Sequence, residues 1–481
     1  MIDEILRVEN VTKSIDGVKR LNNINFNIFK GEILGLIPLN SHGKNELISL
    51  LTQNLPMDIG RIYIDGELVN YYEHSNMGIN KVEIIDYNKR LVEDLTVADN
   101  ITVLNRDFKE MIINAELINE ETEDLLYSFG ISLGCDEFVS ELDVFEKSII
   151  ELIRAVRNKA TLVIINEISS YLSTVELLKF QNLMRHCASR GTSFLYIANH
   201  HEEAFKICHR VSLMEDGSIV KVLDASEFTN ERIEPYIISF DLPYNSAVTE
   251  MVGGILEFQH IKSGTLKDLS LSVEEGKCLT LLDLDNTVLD SLILLMRGDA
   301  IPEMGTVFLE GKALLFKNGE DFTDKGIAFI QENPKETMIF KDMSYFDNLI
   351  FLLDRKIKKS YLSRRIKKSI KEEYFGYLGE DIHALDLRHV RTKSLYSLAY
   401  YRIHLFCPKI VFIIQPFSNA DMYLRAHIIT LINILKKRGI TVVILAVSIQ
   451  DSLAVSDKLI TIEKGSRTRE FESDDFYLFE R

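Results

Sequence analysis

The chain has little of what would mark a secreted, membrane-spanning or nucleic-acid-binding protein. Its five cysteines are scattered through 481 residues without pairing or metal-ligand spacing, which predicts reduced, buried thiols and no structural zinc. No apolar run approaches the roughly 20 residues that span a bilayer, and the N-terminus lacks the pattern of a signal peptide. A formal net charge of −17 argues against nonspecific nucleic-acid binding. We therefore expect a cytoplasmic protein that does not bind nucleic acid.

One stretch combines a predicted strand with an incomplete phosphate-binding loop. Residues 31–47 have the sequence GEILGLIPLNSHGKNEL. In loops of the form G-x-x-x-x-G-K-S/T, backbone N–H groups surround the phosphates, the lysine reaches the terminal ones and the hydroxyl ligates magnesium. Gly43 and Lys44 are present, but Pro38 stands at the first glycine position and Asn45 at the hydroxyl position. The sequence predicts a loop that keeps its cation and lacks a flexible position and its usual metal ligand.

The order of segments in the first half of the chain recurs in the second half. Residues 5–26 and 255–271 each precede a glycine that opens an apolar strand, and similar helical and strand patterns follow in both halves. Strands that alternate with helices predict a mostly parallel α/β sheet, and the repeated order predicts a duplicated domain. We expect domains at 1–238 and 253–481, joined by a linker at 239–252.

Taken in order, these segments resemble the ATP-binding cassette (ABC) superfamily, in particular the tandem-cassette ATPase subunits of bacterial sugar importers of the ribose and galactose type. Residues 13–24 (KSIDGVKRLNNI) resemble the family's K-S-F-P-G-V-K-A-L-x-x-V, 95–101 (LTVADNI) its L-S-V-A-E-N-I, and 326–335 (GIAFIQENPK) its G-I-A-Y-V-P-E-D-R-K. The resemblance covers nearly the whole chain. It implies two tandem P-loop NTPase-like cassettes, each with a mostly parallel core sheet, an antiparallel β subdomain and a helical subdomain.

The resemblance also implies a nucleotide site in the first half. Its nucleotide-binding residues would be Asn40, Ser41, His42, Gly43, Lys44, Asn45 and Asn166. Glu167 would be the catalytic carboxylate that orients the attacking water. Asn166 stands where the family has the aspartate that holds magnesium through a water, so it keeps the shape without the charge. ATP is therefore the expected ligand of the first half, whereas magnesium is doubtful and no residue is assigned as a metal ligand.

Other positions of the first half depart from the family pattern as well. Tyr87 stands in place of the Q-loop glutamine, and residues 142–147 (LDVFEK) stand in place of the LSxGxQ signature. The switch histidine aligns with Asn199. His200 and His201 follow one and two residues later, and we expect them on an exposed loop.

The second half departs further from the pattern. Leu289 stands in place of the P-loop lysine, Val288 in place of its glycine, and Gln415 in place of the catalytic glutamate. Asp283 and Asp285 would face the polyphosphate, where each carboxylate repels it by on the order of a kcal/mol at a surface-like dielectric. We expect no ATP in the second half.

Two functions compete at this point. The substitutions favour a regulatory or scaffolding cassette protein that binds ATP weakly in its first half with little or no hydrolysis. The alternative is an active ATP-hydrolysing subunit that energises carbohydrate import through a membrane permease, so whether the protein is an enzyme stays open. Either function implies permease subunits or a membrane-associated sensor as partners, at the inner face of the cell membrane. The cassettes would pair within one chain or between two copies.

A basic segment stands apart from these motifs. Residues 355–371 contain nine basic side chains, with Leu362, Ile366 and Ile370 at helical spacing. The favoured interpretation is a solvated helix that packs through this apolar stripe. The alternative is contact with anionic lipid headgroups or with an acidic partner.

Overall fold

The computed structural model describes most of the chain. The described residues are 3–71, 78, 80–87, 90–102, 115–236, 254–317, 321–357, 362–418, 420–449 and 451–478. They divide into two compact units, one of Met1–Ser239 with Asp421–Tyr423 and one of Phe240–Ala420 with Leu424–Arg481. The predicted linker at 239–252 lies outside the described residues.

The first unit contains two sheets. Its strands are β1 (Glu4–Ile15), β2 (Val18–Phe29), β3 (Ile33–Pro38), β4 (Ile59–Ile64), β5 (Glu67–Tyr71), β6 (Val82–Ile85), β7 (Leu162–Asn166), β8 (Ser193–Ile197), β9 (Arg210–Glu215) and β10 (Ser218–Asp224). One sheet has the order β2-β1-β4-β5 and is antiparallel. The other has the order β10-β9-β3-β8-β7-β6, and its pairs are parallel except β9 with β10.

The central strand β3 is apolar on both faces because both faces of this sheet are covered. Ile33 and Ile37 belong to one buried cluster, whereas Leu34 and Leu36 belong to another. Side chains alternate across a strand, so these two sets point in opposite directions. The helices of the first unit are α1 (Lys44–Thr52), α2 (Val97–Thr102), α3 (Ala115–Ser128), α4 (Val144–Arg157), α5 (Thr174–Ser189), α6 (His201–Ile207) and α7 (Asn230–Ile233).

The second unit repeats this plan with one continuous sheet. Its strands are β11 (Gly254–Ser263), β12 (Leu266–Glu274), β13 (Cys278–Asp283), β14 (Met304–Leu309), β15 (Lys312–Ala313), β16 (Ile327–Ile330), β17 (Ile410–Ile414), β18 (Thr441–Ala446), β19 (Lys458–Glu463) and β20 (Ser466–Glu472). The order is β15-β14-β11-β12-β20-β19-β13-β18-β17-β16. A single parallel pairing, Asp268 with Ser466, joins the antiparallel part to the mostly parallel part.

The helices of the second unit alternate with its core strands along the chain. They are α8 (Leu289–Arg297), α9 (Pro334–Thr337), α10 (Tyr345–Ile350), α11 (Leu353–Lys356), α12 (Arg364–Leu378), α13 (Thr392–Phe406) and α14 (Met422–Lys437, in this unit from Leu424). Across the described residues, no helix has the length and apolar character needed to cross a membrane. The predicted fold class, an α/β protein of two tandem cassettes, is confirmed.

The basic segment forms a helix over part of its length. Residues 358–361 lie outside the described residues, and α12 begins at Arg364 behind the Ser363 side chain, which accepts a hydrogen bond from the Ile366 N–H. Ile370 is buried and Leu362 packs against the same core, whereas Ile366 is 37% exposed. The predicted packing through an apolar stripe is therefore present at two of the three positions.

Candidate nucleotide site

The first-unit site is built on the turn between β3 and α1. Gly43 immediately precedes α1 and has φ 84°, in the left-handed region. A Cβ atom at this position would lie 2.4 Å from the carbonyl oxygen of Arg20. Both the backbone angle and this contact require glycine, so the sequence keeps the one residue that lets the turn approach its neighbour.

The polar side chains of the turn tie it to adjacent loops. The Asn40 amide donates to Oδ1 of Asp216 at 2.9 Å, and Oδ1 of Asn40 accepts from the His42 N–H at 3.2 Å. Nε2 of His42 lies 2.8 Å from the carbonyl oxygen of Lys19. Ser41 and Asn45 are exposed. These bonds hold the turn in place, with its exposed positions facing away from the core.

Lys44 and Glu167 form an ion pair. The ammonium of Lys44, the first residue of α1, donates to Oε1 of Glu167, which follows the last residue of β7. The two side chains are only 12% and 9% exposed. Glu167 is held by its backbone, since its φ is 53° and its N–H donates to the carbonyl of Ile197 at 2.9 Å. The predicted phosphate-binding cation and the predicted catalytic carboxylate therefore neutralise each other.

Asn166 lies at the end of β7, next to this pair. Its Oδ1 is buried and has no hydrogen-bond partner among the described residues. Magnesium prefers carboxylate, phosphate and water oxygens in an octahedral arrangement. The first-unit site offers a neutral amide oxygen and one carboxylate that already pairs with Lys44, and this donor set does not fit a magnesium ion.

The other aligned positions of the first unit have structural roles. Asp143 precedes α4 and caps it, because its side chain accepts from the Glu146 N–H at 2.7 Å and the Glu146 side chain accepts from the Asp143 N–H at 3.0 Å. Tyr87 is 66% exposed and meets the ring of Tyr171 edge-on at 5.8 Å. The expectation that His200 lies on an exposed loop is wrong, since it is buried where α6 begins.

The corresponding turn of the second unit, between β13 and α8, contains its own anion. Asp283 is fully buried, and its Oδ2 accepts hydrogen bonds from the N–H groups of Val288 at 2.7 Å and Leu289 at 3.3 Å. Asp285 accepts from the Lys464 N–H at 2.7 Å. The prediction that Asp283 faces a polyphosphate is therefore wrong, because its side chain is buried and bound to backbone N–H groups of its own unit. For Asp285 it stays a prediction.

Burial and backbone hydrogen bonds shift the pKa of Asp283 in opposite directions. Removal from water raises the pKa of its carboxyl above the ordinary value, and the bonds from the N–H groups of Val288 and Leu289 partly offset this by favouring the charged form. Backbone N–H groups at the start of a helix bind phosphates in many proteins. Here an internal carboxylate takes two of them.

In the second unit residues 395–399 (LYSLA) stand in place of the LSxGxQ signature, and their surroundings differ from those of residues 142–147 in the first unit. In the second unit Ser397 lies inside α13, and its Oγ is 2.7 Å from Nε2 of His427 in α14. Burial and, to a lesser extent, the nearby Lys393 charge together lower the pKa of His427 to about 4. The first unit has a helix cap at this place, whereas the second has a contact between two helices.

Residues 21–170 match the protein-family model described as ABC transporter. The match lies entirely within the first unit. The matched range includes the turn with Gly43 and Lys44, the helix cap at Asp143, and Glu167.

Curated relatives match almost the full chain. A ribose import ATP-binding protein, RbsA, of Halalkalibacterium halodurans is 25% identical, covering 98% of this chain and 96% of that protein. The protein of the same name in Bacillus licheniformis is 24% identical, covering 98% and 97%. Among solved structures, an ATP-binding cassette of an ABC transporter in its ADP conformation is 20% identical, covers 48% of this chain and 96% of its own, and has a TM-score of 0.42.

Proposed function

We propose that this protein is an ABC-type nucleotide-binding subunit related to sugar-import ATPases, which binds ATP weakly in its first cassette and hydrolyses little or none of it. Its role would be regulatory or scaffolding. The names of the full-length relatives, which describe ribose import and ATP binding, support the general class. The differences of the two turns from the family's P-loop pattern support the proposal that little or no ATP is hydrolysed.

The observation that carries this proposal is the Lys44–Glu167 ion pair. A phosphate that binds at the turn must draw the Lys44 ammonium away from a carboxylate that is almost fully buried. A buried carboxylate that loses its cation is strongly disfavoured, so part of the phosphate interaction is offset by the disruption of the pair. Weak binding follows from this competition.

The same contact limits hydrolysis. Glu167 would have to orient an attacking water, but in this structure its Oε1 accepts from Lys44. The neighbouring Asn166 supplies no negative charge, and the donor set does not fit magnesium. Loss of electrostatic stabilisation at a phosphoryl-transfer site reduces the rate by orders of magnitude.

An apolar groove on the second unit supports a role with a partner protein. A cavity of about 510 Å³ is lined by residues that include Phe340, Phe351 and Met338. The two phenylalanines are each 43% exposed, with ring centroids 4.5 Å apart. Exposed aromatic rings beside a groove are typical of docking sites, so a permease subunit or a membrane-associated sensor is the proposed partner. Pairing of cassettes, within the chain or between copies, belongs to the same proposal.

Calorimetric titration with ATP, with and without magnesium, tests the proposal together with turnover measurements. We expect weak binding that does not need the metal and turnover at background. Lys44→Ala should abolish the binding. Glu167→Gln should tighten it, because the neutral amide competes less for the Lys44 ammonium and still accepts a hydrogen bond.

Lys221→Ala is the matched control, since it removes a lysine of the first unit that pairs with Glu227 at 3.8 Å, away from the turn. It should leave ATP affinity unchanged. Magnesium-dependent turnover that both Lys44→Ala and Glu167→Gln abolish would contradict the proposal and favour an active import ATPase.

A further inference from the structure

The second unit contains a basic cavity that has no part in the proposed nucleotide chemistry. It has a volume of about 770 Å³ and lies among the β14–β15 hairpin, the turn before β16, α11, and the segment that joins α13 to β17. Six cationic side chains line it: Lys312, Lys317, Lys325, Arg355, Lys356 and Lys409. Two carboxylates, Glu310 and Asp324, line it as well.

The charge of this cavity is opposite to that of the chain. Its lining has an excess of four positive charges, whereas the whole protein has a formal net charge of −17. Like charges that converge on one cavity raise the free energy of the folded state and attract small anions. The arrangement therefore favours a bound anion.

Some of these cations already have partners. Lys409 donates to Oε2 of Glu310 at 2.5 Å, and Arg355 pairs with Asp321 and lies 3.7 Å from Asp324. For Lys312 and Lys317, no ion pair is present within the described part of the chain. Both are exposed. The charge of these two lysines therefore remains for a ligand.

Lys356 is positioned by neutral groups. Its ammonium donates to the carbonyl oxygen of Cys407 at 3.0 Å and lies 5.4 Å from the ring centroid of Phe406. A carbonyl and an aromatic face orient the cation without neutralising it, so its full charge still acts on the cavity.

The base of the cavity is fixed by the backbone at Gly326. This residue has φ 93°, and a Cβ atom there would lie 2.9 Å from Cγ of Lys409. Its carbonyl oxygen accepts from the N–H groups of Lys409 at 2.8 Å and Ile410 at 3.1 Å. Buried Leu314 and Phe406 add apolar wall. The cavity thus combines a preformed base, apolar surface and converging cations, as pockets for organic anions do.

We propose that this cavity binds a phosphorylated small molecule. Phosphate oxygens accept several charge-assisted hydrogen bonds, which ammonium and guanidinium groups supply. A volume of about 770 Å³ accommodates an organic group beside the phosphate. The phosphate belongs either to a free metabolite or to a lipid headgroup, and the two sources differ in how the ligand is presented.

Cys407 is a built-in reporter for the test. It lines the cavity and is partly exposed, whereas Cys135, Cys187, Cys208 and Cys278 are buried. A thiol-reactive dye should therefore label the full-length protein mainly at Cys407, and Cys407→Ser should remove that signal. We expect inorganic pyrophosphate to slow the labelling at least fivefold at saturation. Pyrophosphate at the first-unit turn would not affect this readout, so the result is independent of the nucleotide site.

In the variant Lys312→Ala/Lys317→Ala, the pyrophosphate concentration that gives half-maximal protection of Cys407 should rise at least tenfold. The matched control is Lys267→Ala/Lys277→Ala, which removes two exposed lysines of the same unit outside the cavity lining. In this control, pyrophosphate should protect Cys407 as it does in the parent protein. Protection of Cys407 by phosphatidylglycerol vesicles supports the lipid source, and protection by pyrophosphate without any from vesicles supports the free metabolite. The proposal is overturned if neither protects Cys407, or if protection is the same in the Lys312→Ala/Lys317→Ala variant.

Discussion

The two strand-to-helix turns show how one backbone plan yields two different electrostatic outcomes. In the first unit the residue before α1 is Gly43, with φ 84°, whereas in the second the residue before α8 is Val288, with φ −113°. Valine is strained at positive φ, so the second turn follows another path and buries the valine side chain completely. The second turn thus differs from the first both in its shape and in what fills it.

The backbone at the ends of β7 and β17 is more alike than the side chains at these positions. Glu167 and Gln415 both have positive φ, at 53° and 41°. Each donates its N–H to a neighbouring strand, to Ile197 at 2.9 Å and to Leu445 at 2.8 Å. The second unit has Leu289 in place of Lys44 and Gln415 in place of Glu167. Loss of both charges avoids a stranded buried ion, which explains why the pair is absent as a whole.

The largest expected effect concerns the ion pair of the first turn. Lys44→Ala leaves the Glu167 carboxylate buried without its cation, and Glu167→Ala leaves the ammonium in the same position. Each variant should lose about 3–5 kcal/mol of unfolding free energy in urea titrations. Lys44→Met combined with Glu167→Gln should lose less than either, because no charge is stranded.

A surface pair is the control for that prediction. Lys147 and Glu93 lie 3.2 Å apart, and Glu93 is 69% exposed, so removal of either should cost less than about 1 kcal/mol. If the combined Lys44 and Glu167 variant loses as much as the sum of the two single variants, the pair does not contribute as proposed.

The backbone difference between the turns predicts the next effect. Gly43→Val forces a β-branched residue to positive φ, at about 1–3 kcal/mol, and places its Cβ near the carbonyl oxygen of Arg20. The thermal unfolding temperature should fall, and ATP binding at this turn should be lost. Val288→Gly, the reverse change, removes the buried valine side chain and introduces no backbone strain. A Gly43→Val variant with parental stability and ATP affinity would remove the backbone explanation for the two turns.

The buried side chain of Asp283 in the second turn predicts an effect of comparable size. Asp283→Ala leaves the N–H groups of Val288 and Leu289 without their acceptor and should cost about 1–3 kcal/mol in urea titrations. Asp283→Asn retains an acceptor oxygen and should cost less. Equal losses in the two variants would indicate that side-chain volume, and not the hydrogen bonds, stabilises the turn.

Asp283 also predicts a pH dependence. Burial raises its pKa above 3.8 in the folded state, so the folded protein holds this proton more tightly than the unfolded chain. Its contribution to stability is therefore largest at acidic pH and falls as the pH rises through the folded-state pKa. Asp283→Asn, which does not ionise, should remove that part of the pH profile.

Local pattern and order along the chain predict the fold but not the contacts of the site. Strand and helix periodicity and the repeated order of segments are enough for the α/β class and the duplication, because both are properties of short segments. The pairing of Lys44 with Glu167 joins residues that are 123 positions apart, so spacing alone does not reveal it.

Local sequence does not determine the direction in which a side chain points. The sequence predicts that Asp283 faces a ligand, but its side chain turns back to the N–H groups five and six residues later. A short acid followed by a helix start is the local signal that could have suggested this, since such residues cap helix N-termini. His200 is likewise buried although the sequence predicts an exposed loop, because its burial depends on how α6 packs and not on the polar residues beside it.

A second pH-dependent effect sharpens the comparison between the two signature-like segments. Burial lowers the pKa of His427 to about 4 in the folded state, against 6.5 as its ordinary value. Between those values the unfolded chain binds more protons, so the stability of the second unit should rise with pH across this window. His427→Gln keeps a polar group near Ser397 and should flatten the rise in urea titrations from pH 4 to 7. Asp143→Asn in the first unit is the matched change at the corresponding segment, since asparagine still caps α4. If His427→Gln leaves the slope unchanged, the acid sensitivity of the second unit lies elsewhere, and the contact between α13 and α14 serves packing alone.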